Sequence, residues 1–307
     1  MGSATPDGVT STGGDDWSRP GTEGVAPVVS WRMDPGAQPV EPSRRGAEAI
    51  RLGELAAARL LGEPEEAERY LRAALESGAG ALPAEHLARL HAQLVTVLSG
   101  LPGREADLAA AALAAAGHWA DLSGDTVTHL VFVAARAWHR AGRHRRAAEL
   151  FARVIAAPAP YPAAEMAVLR GQYGRSLRLL GEHARAARHY LAAAHLVRDA
   201  ADHACLRAEL TWSAASALDA CGADGPAALA YLRAADLWGE LGRIGPRARC
   251  LRSAAWLRFW SAGTRAQRQP SIDALRALLA DLEGLAPSPE VANELDHTRR
   301  QLADMQD

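Results

Sequence analysis

The stretch that decides the fold is residues 129–157, HLVFVAARAWHRAGRHRRAAELFARVIAA. Two segments rich in alanine, leucine and arginine, which favour helix, flank Gly142. A second stretch, residues 171–197, reads GQYGRSLRLLGEHARAARHYLAAAHLV and carries Gly181 at the equivalent place. A tight turn between two helices favours glycine because glycine tolerates positive φ. Both stretches are therefore predicted to be helical hairpins.

A glycine recurs at this place along most of the chain, with gaps of 38, 42, 39, 41 and 41 residues. The six periodic glycines are Gly62, Gly100, Gly142, Gly181, Gly222 and Gly263. A period near 40 residues indicates stacked copies of one supersecondary unit. The sequence therefore predicts about six hairpins, each with its turn at a periodic glycine.

In the second helix of each hairpin, similar residues recur five, nine and twelve positions after the glycine. Residues at these spacings lie on one face of a helix and form a stripe. The stripe reads small, large, small or β-branched. It is Ala67, Leu71 and Ala74 in the first copy, Ala147, Phe151 and Val154 in the third, Ala186, Tyr190 and Ala193 in the fourth, and Ala227, Tyr231 and Ala234 in the fifth. Small residues let helices approach closely, and the large residue is expected to fill the gap to the next hairpin.

Two copies depart from this pattern. In the second copy the stripe is expected to shift to Ala106, Ala110 and Leu113. In the last copy Arg268 replaces the alanine, and a longer loop is expected over residues 261–271.

The pattern resembles the tetratricopeptide repeat (TPR), whose units pair two antiparallel helices and stack into a right-handed superhelix. The best match contains Trp138, Gly142, Ala147 and Phe151 at the family's spacing. The period exceeds the family's usual length of about 34 residues. It is similar to the long-helix variants of kinesin light chains and of bacterial regulators that sense peptides or other proteins.

Together these features predict an all-α solenoid in three parts. Residues 1–45 are rich in proline and glycine without helical periodicity, so we expect a disordered N-terminal tail. Residues 46–286 are expected to form the repeat array, and residues 287–307 a C-terminal capping helix.

The resemblance implies that the first helix of each hairpin lines a concave groove and reads ligands ten, six, three and two residues before the turn glycine. The candidate groove residues at these positions are Phe132, Arg136, His139, Arg140, Arg175, Arg178, Trp212 and Trp260, with Gln172 beside them. Four of them are arginines in the third and fourth copies. Guanidinium groups bind carboxylates bidentately, so we expect the arginines to fix acidic groups of a partner while the aromatic residues bury apolar side chains.

Charge is segregated along the chain. Residues 128–268 carry 21 arginines and 10 acidic side chains, a net charge of +11, although the whole chain has a net charge of −2. A positive middle favours acidic partners. Two alternatives remain open: these arginines are solvated or paired with neighbouring glutamates, or the N-terminal tail folds against the groove and inhibits it.

Composition excludes several kinds of chemistry. All 34 basic residues are arginine, so no P-loop, pyridoxal-phosphate or protein-kinase lysine is present. His183, His189 and His195 are six residues apart, a spacing that rotates successive side chains by about 240° around a helix. We therefore expect no catalytic residues, no metal site and no cofactor. A nucleic-acid partner is disfavoured by the sequence pI of about 6.6.

These observations favour a non-catalytic scaffold or regulatory adaptor that binds an acidic or apolar peptide segment of a partner protein. The alternatives are a regulatory protein that senses a peptide or small ligand, and an enzyme or enzyme subunit built on helical repeats. No apolar run approaches the roughly 20 residues of a membrane span, and the first residues lack the outline of a secretory signal. We therefore expect no membrane association and a cytoplasmic location, with the oligomeric state open.

Overall fold

The structure is a computed structural model that describes residues 43–60, 62–157 and 161–306. The predicted N-terminal tail lies outside these residues except for its last three, and the first helix already begins at Arg44. The described residues form thirteen α-helices. They are α1 (Arg44–Arg59), α2 (Pro64–Gly78), α3 (Ala84–Ser99), α4 (Glu105–Trp119), α5 (Gly124–Arg140), α6 (His144–Ala156), α7 (Ala163–Leu179), α8 (His183–Leu196), α9 (Ala204–Ala220), α10 (Asp224–Glu240), α11 (Ile244–Ser261), α12 (Arg265–Glu283) and α13 (Pro289–Asp304).

Successive helices pack as antiparallel pairs, and each pair packs on the next. The odd-numbered helices from α1 to α11 are the first helices of six hairpins, and the even-numbered helices are the second helices. The last helix, α13, packs on both α11 and α12. The prediction of an all-α, TPR-like solenoid with a capping helix is confirmed. Within the described ranges, no helix is both long enough and apolar enough to cross a bilayer.

The predicted stripe forms the core of the hairpins. Its members are buried in the first, third, fourth and fifth copies. Phe151 is inaccessible to solvent, and its ring centroid lies 6.2 Å from that of Tyr173 in the next hairpin. A Cβ atom on Gly174 would lie only 3.0 Å from the ring of Tyr190. Large rings and very small residues therefore interlock as the alternation predicts.

The turn chemistry matches the prediction in half of the copies. All six periodic glycines lie between a first and a second helix. Positive φ, of +71°, +79° and +74°, occurs at Gly142, Gly181 and Gly222. The expectation of positive φ is wrong for Gly62, Gly100 and Gly263, which lie outside the left-handed region. The fixed period identifies the hairpins, but it does not fix the conformation of every turn.

The second copy uses a different glycine. Gly103, with φ of +75°, takes the left-handed position, three residues beyond Gly100. The predicted stripe is wrong here, because Ala106 and Ala110 are exposed and Leu113 is only half-buried. Counting from Gly103 instead restores a buried stripe, since Leu108, Ala112 and Ala115 at five, nine and twelve residues are all buried, although the large residue comes first.

The last copy has no long loop. The predicted loop over residues 261–271 is wrong, because α12 begins at Arg265. The side chain of Thr264 accepts a hydrogen bond from the backbone of Gln267, and the side chain of Gln267 accepts one from the backbone of Thr264. This capping box provides hydrogen-bond partners for two amides at the start of the helix. It offsets the one helix hydrogen bond that is lost because Pro270 has no backbone N–H.

Polar contacts add to the apolar packing of the capping helix. Arg252 of α11 forms a buried ion pair with Glu294 of α13. The amide of Gly245 donates to Glu290 Oε1 at 3.1 Å, and Gln301 Nε2 donates to the Arg252 carbonyl at 2.8 Å. These bonds join α13 to the start and the middle of α11.

Candidate functional site

The predicted groove residues all lie on first helices. They are Phe132, Arg136, His139 and Arg140 on α5, Gln172, Arg175 and Arg178 on α7, Trp212 on α9 and Trp260 on α11. The helices α5 and α7 are joined directly, because His139 Nδ1 and Ser176 Oγ are 2.8 Å apart. The third and fourth hairpins therefore present one continuous face.

The charges of three of the four predicted arginines act on one histidine. We call Arg136, Arg140 and Arg175 the arginine cluster. The pKa of His139 is lowered to about 4, first by burial and then by the charges of Arg175, His144, Arg140 and Arg136. Arg178 is not among the charges that act on His139. The repeat thus brings cationic groups from α5 and α7 to one place.

The charges of Arg136 and Arg140 are poorly compensated. Over the described part of the chain, neither Arg136 nor Arg140 forms an ion pair with an acidic side chain. The pKa of Arg136 is lowered by burial and then by the neighbouring charge of Arg140. In the second repeat, by contrast, Arg104 lies 2.7 Å from Glu68 Oε1 and 2.6 Å from Asp107 Oδ2. An anion beside Arg136 and Arg140 would relieve this repulsion.

His139 is fixed in place by its neighbours. Its ring centroid lies 5.4 Å from that of His144 and 6.4 Å from that of Phe151, both with tilted planes. Ser176, its hydrogen-bond partner, is inaccessible to solvent. The pKa of His144 is also lowered, first by burial and then by Arg175, and its Nδ1 is buried without a hydrogen-bond partner among the described residues. Two imidazoles therefore adjoin the cluster.

The ring of Phe132 is buried and contacts Arg136 of the cluster. Only 9% of the residue is exposed, and its ring centroid lies 5.6 Å from that of Tyr161 and 6.5 Å from that of Phe151. The guanidinium carbon of Arg136 lies 5.6 Å from the Phe132 ring centroid, within the range of a cation–π contact. The ring packs in the core and orients Arg136, and it offers a partner little apolar surface.

Gln172 and Arg178 continue the face along α7. Both are half-buried. The Oε1 atom of Gln172 is buried and accepts no hydrogen bond from the described residues. A buried acceptor without a donor costs about 1–3 kcal/mol, so a backbone amide or hydroxyl that reached Oε1 would be stabilised there.

The two tryptophans differ in how much of the side chain is exposed to a partner. Trp212 is half-buried against the core between α9, α10 and α11. Trp260 is 55% exposed, and its ring lies 5.5 Å from Trp256 and 5.3 Å from Phe259 in edge-to-face arrangements. The guanidinium carbon of Arg268 lies 5.8 Å from the centroid of Trp260. Trp260 is thus an exposed aromatic surface at the far end of the array.

The face changes sign between the cluster and Trp260. Asp219 of α9 is half-buried, and burial raises its pKa. The hydroxyl of Tyr231 donates to Asp219 Oδ2 at 3.4 Å. An acidic group therefore interrupts the cationic face in the fifth hairpin.

The sequence prediction omitted two members of the site, Ser176 and His144. Ser176 lies five residues before Gly181, where the third and fifth copies have the buried Ala137 and Ala217. A lone hydroxyl in a buried alanine column is the signal that could have identified it. His144 follows the turn and lies on a second helix, so a search confined to first helices passes over it.

The described residues contain no group of three or more histidine, cysteine, aspartate or glutamate side chains that could hold a metal ion. What the face brings together is guanidinium, imidazole and hydroxyl groups. Such groups bind and orient anions.

No protein-family model and no curated protein matches this chain. Among solved structures, the apo form of RapI is similar, with 14% identity, a TM-score of 0.49, and coverage of 84% of this chain and 97% of RapI. The TPR-like repeats of a putative kinesin light chain from Podosopora anserina are 16% identical, with a TM-score of 0.47, over 66% of this chain and 99% of that one. PilF from Pseudomonas aeruginosa is 18% identical, with a TM-score of 0.42, over 84% and 100%. Likenesses at these levels establish no shared function.

Proposed function

We propose that this protein is a non-catalytic scaffold or regulatory adaptor that binds an acidic segment of a partner protein along its first helices. The observation that carries the proposal is the arginine cluster, in which Arg136 and Arg140 share one site without an ion pair among the described residues. A partly buried cation without a counter-ion is destabilised, and a bound carboxylate removes that cost.

The chemistry favours a side chain or chain terminus with planar oxygens. A guanidinium donates two parallel hydrogen bonds to a carboxylate, and each hydrogen bond to a charged group contributes about 1.5–3 kcal/mol. The partly buried position of Arg136 excludes part of the competing water, which strengthens such a contact. We therefore assign the cluster the role of electrostatic anchor.

Apolar contacts would extend the interface toward the C-terminal end of the array. Trp260 presents an exposed ring that Trp256 and Phe259 hold in place, so little conformational entropy is lost when a partner covers it. Rigid aromatic residues of this kind are frequent among the residues that dominate binding energy. We therefore expect the partner segment to carry acidic residues at one end and apolar residues at the other.

The test is binding of a short acidic peptide that ends in leucine and tryptophan, measured by fluorescence anisotropy. The double variant Arg136→Glu/Arg175→Glu should weaken binding at least about tenfold, which corresponds to about 1.4 kcal/mol. Arg136→Gln/Arg175→Gln should weaken it less, because it removes charge without introducing repulsion.

A matched control changes charge equally on the opposite helices of the same hairpins. Arg145 of α6 and Arg188 of α8 are exposed, and Arg145→Glu/Arg188→Glu should leave the affinity within about twofold, since exposed charges are screened by solvent. Thermal unfolding of each variant checks that the array stays folded. Equal loss of affinity in both double variants would show that overall charge, not the first-helix face, captures the peptide.

A further inference from the structure

A surface cavity lies where the turn between α10 and α11 meets the C-terminal end of α12. Its volume is about 520 Å³. Sites for small molecules in proteins typically have volumes of about 300–1,000 Å³. Ile244, which lines the cavity, and Trp260 are sixteen residues apart on α11, a distance of about 24 Å along a helix. The cavity is therefore large enough for a small ligand and separate from the aromatic surface assigned to the partner segment.

The apolar part of the cavity lining is entirely aliphatic. Ala248, Leu278 and Leu282 belong to one buried core cluster, and Ile244 packs against this cluster. Leu285 also lines the cavity but is 41% exposed, so part of its side chain contacts water. A ligand that covered these side chains would remove apolar surface from water, and such burial is favourable. An alkyl chain matches this lining, because it makes dispersion contacts in any orientation and needs no ring to stack on.

The charged part of the lining has an excess of one positive charge. Arg243, Arg247 and Asp281 all line the cavity, which gives two positive groups and one negative group. Arg247 Nη2 lies 3.7 Å from Asp281 Oδ2, so these two charges largely compensate each other. Over the residues that the structure describes, Arg243 forms no ion pair. A single carboxylate on Arg243 would bring the charge of the lining to zero, and guanidinium groups bind carboxylates well.

We propose that this cavity is a binding site for a small amphipathic monocarboxylate of the fatty-acid type. Its alkyl chain lies against Ile244, Leu278 and Leu282, and its carboxylate accepts hydrogen bonds from Arg243. The site goes beyond the proposed function, because it uses neither the arginine cluster nor Trp260.

Octanoate is the probe for the first test, and 1-octanol, which has the same chain without the charge, is the comparison. The ¹⁵N–¹H signals of the full chain are followed during titration with each compound. The amide signals of Gly239 and Gly242, which line the cavity, should shift in a saturable way. Octanoate should bind at least about threefold more tightly than 1-octanol, since the exposed ion pair adds to the apolar contacts. Hexanoate should bind at least about tenfold more weakly than octanoate, because it buries two fewer methylene groups.

Two variants with matched controls test the two parts of the site. Arg243→Gln should weaken octanoate binding about threefold to tenfold and leave 1-octanol binding within about twofold. Arg258→Gln removes an exposed arginine near the other end of α11 and should leave the binding of both compounds unchanged. Leu285→Glu should weaken the binding of both compounds, whereas Leu229→Glu, at a leucine of α10 that is 56% exposed, should not.

Several outcomes would overturn the inference. Absence of saturable shifts at Gly239 and Gly242 would show that the cavity is not the site, as would equal loss of binding in Arg243→Gln and Arg258→Gln. Equal affinities of octanoate and 1-octanol would overturn the assignment of the ligand as a monocarboxylate. Thermal unfolding of each variant checks that the array stays folded. Binding of the acidic peptide is measured separately, so failure here leaves the proposed function intact.

Discussion

The buried ion pair between Arg252 and Glu294 should decide how firmly α13 caps the array. Their side chains are only 10% and 4% exposed, and Thr298 Oγ1 lies 3.4 Å from the Arg252 Nη1 atom. Arg252→Met keeps the aliphatic stem but leaves the Glu294 carboxylate buried without its counter-ion. Removing one partner of a buried pair costs about 3–5 kcal/mol, so α13 should lose most of its stability.

Local hydrogen exchange is the suitable assay, since a repeat array does not have to unfold as one unit. A loss of 3 kcal/mol corresponds to roughly a hundredfold faster exchange in α13, at about 1.4 kcal/mol per tenfold change. Exchange in α5 should stay unchanged. Arg252→Met/Glu294→Leu replaces both charges by apolar groups and should recover most of the protection. Exchange in the single variant within about threefold of the wild type would refute this reasoning, as would equal losses in the single and double variants.

Further changes test the turns, the core and the histidines. Gly142→Ala should destabilise the array by about 1–2 kcal/mol, because φ there is +71°, whereas Gly100→Ala, at φ −87°, should change it by less than about 0.5 kcal/mol in urea unfolding. Phe151→Ala should cost about 3–5 kcal/mol in the same assay, because the ring is fully buried. The folded-state pKa of His91, His139 and His189 is about 4, below the ordinary value of 6.5, so the unfolded chain binds more protons between these values. The free energy of unfolding should therefore fall as pH drops from about 6.5 to 4, by about 1 kcal/mol per histidine after allowance for solvent screening. In His91→Gln, the midpoint of urea unfolding should depend less on pH than in the wild type.

The fold could be predicted because each hairpin repeats the same local interactions. The spacing of glycine, alanine and aromatic residues specifies a turn and one buried stripe, and both are properties of neighbouring residues. Phe151 and Ala147 lie in the core as their positions nine and five residues after Gly142 require. Hairpins copied in this way leave few other packing arrangements.

The failures arise where two local signals compete. Gly100 and Gly103 both lie in one turn, and the regular period favours Gly100, yet only Gly103 has the left-handed conformation from which the buried stripe is counted. In the last copy, Gly263 and Pro270 suggest a loop, but the capping box between Thr264 and Gln267 starts a helix inside it. The spacing of Thr264 and Gln267 is a helix-start signal in the sequence, but the glycine period does not contain it.

The candidate site could be predicted only in part. The positions of Arg136 and Arg175 on first helices follow from the repeat, and the structure brings them to the same histidine. The burial of Phe132 could not be read from its helix face, because it depends on the ring of Phe151 in the same hairpin and on the ring of Tyr161, which precedes α7. The role of Ser176 could not be predicted either, because its hydrogen bond to His139 joins two different hairpins.

Chemical-shift mapping of the bound acidic peptide on the ¹⁵N-labelled protein is the most direct measurement of where the partner segment lies. Perturbations should concentrate on the first helices α5 and α7 around Arg136 and Arg175, and extend along α11 to Trp260. Perturbations confined to the second helices α6 and α8, with α5 and α7 unchanged, would contradict the central claim that the first-helix face captures the segment.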